Sequence, residues 1–139
     1  MSLERMASMQ FDEFIELVQS RALFNSAGET VKTIRDVLEV LGIRLSRGAA
    51  ERLAAQLPPE IRPFLLQSAH AEGFGLEEFL KRISIREGVG ASLADAESHA
   101  RAVLSVIAEN ISPCEFHELL AELPDELRGL FAPIRIAAS

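Results

Sequence analysis

Cys114 and His117 stand three residues apart on a segment with helical periodicity, so their side chains share one face. A metal site built on them needs more ligands. His99 or a carboxylate offers one, but zinc sites use three or four protein ligands and no second Cys or His pair has ligand spacing. A cysteine nucleophile meets the same objection, because no histidine is placed by sequence to activate Cys114. The three histidines, His70, His99 and His117, form no recognisable constellation. Asp12, Glu13, Glu16, Glu77 and Glu78 fall in first helical turns, where the helix dipole explains negative charge. The run Glu87-Gly88-Val89-Gly90 lacks the lysine and hydroxyl residue of a phosphate loop and follows a helix, so it reads as a helix stop. These residues give no catalytic, cofactor or metal assignment. Four polar residues occur twice instead: Arg21/Arg86, Arg35/Arg101, Glu60/Glu126 and Arg62/Arg128. They read as structural ion pairs, with Glu60 expected on Arg35 and Glu126 on Arg101, tying a short fourth helix to the second. If buried, such a pair costs ~3–5 kcal/mol to break; if exposed, it contributes ~0–1 kcal/mol.

The elements that would position these residues come from an internal repeat of about 65 residues. Phe14 falls on Phe79, Phe11 on Leu76, Ile15 on Leu80 and Val18 on Ile83. After one extra residue in the second copy, Ser26 meets Ser92, Arg35 meets Arg101, Val37-Leu38 meets Val103-Leu104, and Ser46 meets Ser112. Leu57-Pro-Pro-Glu-Ile-Arg then meets Leu123-Pro-Asp-Glu-Leu-Arg. Each copy reads as four helices. Phe11, Phe14, Ile15, Val18 and Ala22 step by three and four, as do Val31, Ile34, Leu38, Leu41 and Leu45. Ser26, Ser92 and Ser112 are set as N-caps, with Glu29 better placed than Asp95 to complete a capping box. Pro58 and Pro124 end the third helix and open the fourth. No segment alternates with period two, so no sheet is expected. The fold class is therefore all-α: a tandem duplication of a four-helix unit, eight helices around a shared core with approximate two-fold symmetry. The chain is one domain, with repeats at about 9–70 and 73–133.

Composition narrows the function classes. The chain has 139 residues, 48% of them hydrophobic and 25% charged, as in a soluble globular protein. Its net charge of −7 disfavours a phosphate-backbone binder, so no nucleic-acid partner is expected. No apolar run reaches the ~20 residues that span a bilayer, and Met1 to Gln10 has no signal-peptide core. Met6 and Met9 offer alternative starts to Met1. A single cysteine forbids an intramolecular disulfide and fits a cytoplasmic location. Tyr and Trp are absent, which removes two of the three residue types favoured at binding hot spots.

Phe11-Asp-Glu-Phe, Leu57-Pro-Pro-Glu-Ile-Arg, Leu123-Pro-Asp-Glu-Leu-Arg-Gly-Leu-Phe and Ala96-Glu-Ser-His-Ala-Arg-Ala-Val-Leu resemble the family of bacterial proteins termed domain of unknown function 2267. The resemblance runs from about Met9 to Phe131. It implies a small, soluble, helical bacterial protein and brings no activity, cofactor or site residues with it.

Three functions stay open: a protein-interaction or scaffold module, a binder of a small apolar ligand in a cavity between the repeats, and an enzyme with an unrecognised site. Elimination favours interaction, with a protein partner or a second copy of the chain. The partner should meet surfaces that differ between the copies. Those are Ser20-Arg21-Ala22-Leu23-Phe24 against Ile85-Arg86-Glu87-Gly88-Val89, with Leu23 and Phe24 as anchors, and the edge carrying Cys114 and His117.

Overall fold

Four serines start four helices. Ser26, Ser46, Ser92 and Ser112 each accept a hydrogen bond from the backbone N–H three residues on, satisfying one of the donors a first turn leaves free. The structure, a computed structural model, describes residues 10–132; the alternative starts at Met1, Met6 and Met9 and the outermost repeat boundaries at 9 and 133 lie outside it. The helices are α1 (Phe11–Ala22), α2 (Ala27–Arg44), α3 (Arg47–Ala54) and α4 (Arg62–Leu66), then α5 (Leu76–Glu87), α6 (Leu93–Asn110), α7 (Pro113–Ala121) and α8 (Asp125–Arg128). A 3-10 turn, Pro59–Ile61, precedes α4, and another, Gly129–Phe131, follows α8. Among the described residues there is no strand, and the fold is all-α. One cap differs from expectation. The capping box closes at Ser92 and Asp95, whereas the longer Glu29 side chain overshoots Ser26 and accepts from the Asn25 N–H.

The apolar stripes meet in one continuous core. Phe14, Val18, Ile34, Leu38, Leu53 and Leu65 share it with Phe79, Ile83, Val103, Leu104, Leu119 and Phe131. The packing is crosswise: α1 lies against α6 as well as α2, and α5 lies against α2 as well as α6. The short helices follow the long ones, α4 seated on α2 and the last 3-10 turn on α6. The α2–α4 approach is close enough to demand glycine, since a Cβ at Gly42 would sit 2.6 Å from the Leu65 carbonyl oxygen.

The expected pairs Arg35–Glu60 and Arg101–Glu126 do not form. Glu60 is exposed, and the carboxylate beside Arg35 is its chain neighbour Asp36, 4.0 Å away. Arg101 pairs with Glu97 and donates to the Gly129 carbonyl, while Glu126 accepts from the Leu76 N–H at 2.9 Å. The physical reason lies in which groups lacked partners. Gly75, the N-cap of α5, has no side chain to offer, so Glu126 supplies the acceptor. Ile61, Leu65, Leu127 and Leu130 hold the short helices by burial instead. In the repeated Leu-Pro-x-Glu-x-Arg string it is the arginine that fixes the turn. Arg62 Nε donates to the Leu57 carbonyl at 2.9 Å and Arg128 Nε to the Leu123 carbonyl at 3.2 Å.

Candidate functional site

Site chemistry begins where α5 stops. Glu87 is the last residue of α5, and Gly88 and Gly90 turn the chain with φ of +111° and +91°. A carboxylate here faces the negative end of the helix dipole and needs a partner. His99 of α6 supplies it, its Nδ1 lying 2.5 Å from Glu87 Oε2. The Glu87 side chain is only 9% exposed, and its other oxygen, Oε1, is buried without a hydrogen-bond partner among the described residues. Phe24 covers the imidazole, with ring centroids 4.8 Å apart.

These residues line an open cleft of about 260 Å³ together with Glu29, Lys32 and Thr33 of α2, Val89, Ala91, and Asp95 of α6. That is below the ~300–1,000 Å³ of pockets for drug-sized ligands. Its lining is strongly charged, unlike the apolar cavity that a binder of apolar ligands would use. In the register expected from the sequence, Phe24 answers to Val89, Glu29 to Asp95 and Thr33 to His99. The cleft thus joins corresponding positions of which one pair keeps its carboxylate and two change chemistry.

His99 holds its proton to higher pH than an ordinary histidine. The hydrogen bond to Glu87 is the main cause, burial opposes it, and the charges of Glu87, Asp95 and Glu29 add to it. A histidine raised in this way adds stability that is fully present below its unfolded value, 6.5, and fades as pH rises through the folded value. His99→Gln should therefore lower the melting temperature most in mildly acid buffer, and the difference from the wild type should shrink in mildly alkaline buffer. A constant difference across that range, followed by thermal melts, would refute the charged pair. Two carboxylates, Asp36 and Glu115, are held above the usual range by burial. Both lie on the flanks of the core, Asp36 accepting from Lys32 at 2.8 Å and Glu115 lying 3.9 Å from Arg52.

The residues expected at an interaction surface divide. Leu23 is 85% exposed, and Phe24 is half-buried on His99. Cys114 and His117 are exposed on α7. Eleven residues of helix, about 16 Å, separate His99 from the end of α6 ahead of Cys114, so the two sets do not form one patch. Among the described residues no group of three or more His, Cys, Asp or Glu side chains is gathered to hold a metal ion, and no helix is long and apolar enough to cross a membrane.

Sequence reasoning passed over the Glu87–His99 pair. The signal was available: the expected register puts Ala22 opposite Glu87 and Thr33 opposite His99, so two apolar or neutral positions would acquire complementary charge together. No curated protein matches the chain. The model of the family described as uncharacterized conserved protein (DUF2267) matches residues 11–130, nearly all of the described structure, and the chain belongs to that family.

Proposed function

We propose that the chain is two copies of one helical unit about an approximate two-fold axis, and that it acts as a protein-interaction module whose docking end is the Leu23–Phe24 and Gly88–Val89 loops. The duplication is supported by helix lengths of 12 and 12 residues for α1 and α5, and 18 and 18 for α2 and α6. Reciprocal ties support the axis. Ser46 donates to Glu122 from both its N–H and its hydroxyl, while Ser112 donates its N–H to Gln56 Oε1 and its hydroxyl accepts from Gln56 Nε2. Gln56 and Glu122 are equivalent positions. Arg21 bonds Ser105 and Glu109, and Arg86 bonds Glu39, the equivalent of Ser105. Arg52 and Glu118, equivalent to one another, pair at 3.1 Å.

The observation that carries the docking reading is Leu23. It closes α1 in the left-handed region, φ 60°, where Gly88 serves α5. A leucine there is less favourable than glycine by ~1–2 kcal/mol, and it exposes nearly its whole side chain besides. Val89, on the neighbouring loop, is fully exposed as well. Strain and apolar exposure at one spot point to use. A partner with basic residues fits better than a second copy of this acidic chain, because Glu29, Glu87 and Asp95 stand around the cleft that Phe24 and Val89 line.

The test is affinity capture with wild type and a Leu23→Ser/Val89→Ser variant, followed by rebinding of the purified partner. Phe24 is left alone because it packs on His99. A partner that binds the wild type and is lost by at least tenfold with the variant, at unchanged melting temperature, is expected. Equal binding by both proteins would end the docking reading.

A further inference from the structure

We propose that the cleft receives a lysine or arginine side chain of the docked partner, its cationic nitrogen donating to Glu87 and its methylene stem lying between Phe24 and Val89. This rests on the docking reading above. Glu87 spends one oxygen on His99 and leaves the other buried and unpaired among the described residues, a condition that native structures rarely leave unanswered. The terminal torsion of a glutamate is soft, so the carboxylate can turn toward an arriving donor without moving the backbone.

The charges nearby do not answer it. Lys32 lines the cleft, but its ammonium donates to Asp36 Oδ2 at 2.8 Å and to the Arg86 carbonyl at 3.0 Å. Arg86 turns its guanidinium to Glu39. Three carboxylates, Glu29, Glu87 and Asp95, thus stand around the opening against one committed ammonium and one histidine. A cleft of about 260 Å³ suits a side chain rather than a larger ligand, and Phe24 and Val89 flank it with apolar surface that a methylene stem can cover.

Binding has a signature on His99, which faces Glu87 from α5, Asp95 on its own helix, and Glu29 and Lys32 from α2. An arriving cation competes with the imidazolium for the same carboxylate. His99 therefore gives up its proton at lower pH when the site is filled, and affinity for the cation rises with pH.

The experiment is an NMR titration of the His99 ring in the full-length protein. The probes are N-acetyl-lysine methylamide and N-acetyl-arginine methylamide, with N-acetyl-norleucine methylamide and butylamine as comparators. The lysine and arginine probes should bind saturably and move the His99 titration to lower pH. Norleucine should bind at least tenfold more weakly, and Glu87→Gln should lose the effect. Norleucine binding as well as lysine, or no saturable change in the wild type, overturns the proposal even if the Glu87 variant does not fold. Butylamine binding tenfold more tightly than the lysine probe reassigns the cleft to a free amine and overturns the partner side chain. Lysine and arginine probes acting as expected, while no partner depends on Leu23 and Val89, would sink the docking reading and leave the cation site standing.

Discussion

Phe14→Ala and Phe79→Ala should each lower the unfolding free energy by ~3–5 kcal/mol, and the two together should abolish cooperative folding. Both phenylalanines are buried, each the fourth residue of its helix, α1 and α5. Both sit in the same core, so each truncation leaves a cavity lined by side chains from both halves of the chain. A domain of this size has ~5–15 kcal/mol of stability in all, which leaves little after two such losses. Urea denaturation at constant m-value gives the measurement. A loss below ~1 kcal/mol at either position would mean that the site collapses freely and that the core is not close-packed there.

A fragment of residues 1–70 should fail to melt cooperatively as a monomer. Alone, it keeps α1 to α4 but leaves the face of α1 that packs on α6, and the face of α2 that packs on α5, in water. Chains of this length bury only ~60% of the surface their unfolded state exposes, and this one would also lose half of its helix partners. If the two-copy reading is right, the fragment has a second route. One copy can take the place of the missing half, with Ser46 and Gln56 meeting twice in the manner of Ser112 and Gln56. Helicity by circular dichroism should then rise with concentration. Arg52 would face its own copy rather than Glu118, which weakens that association. A monomer that melts cooperatively at every concentration contradicts the shared core.

Local signals were the legible ones. Serine caps, proline breaks and three-four apolar stripes act within a turn or two, so the sequence carries their whole cause, and helices appear where those signals lie. The pairings of long polar side chains were not legible. Arg62 and Arg128 reach carbonyls of their own turn, Glu126 reaches a bare helix start fifty residues away, and Arg21 crosses to α6. An arginine can satisfy itself on many acceptors, and only the packed backbone decides which ones are near. The candidate site fell between these cases. Glu87 and His99 could be picked out as departures from the expected repeat, but their meeting depends on how α5 and α6 close against α2.

The crosswise packing also bears on when the protein can fold. Arg21 and its partner Glu109 are 88 residues apart in the chain. At ~5–20 residues per second of synthesis, α1 leaves the ribosome several seconds before the stretch of α6 that covers it exists. During that interval Phe14 and Val18 have only α2 to pack on. The first half of this protein must wait, exposed to chaperones and to its own neighbours on the same message, for the second half to be made.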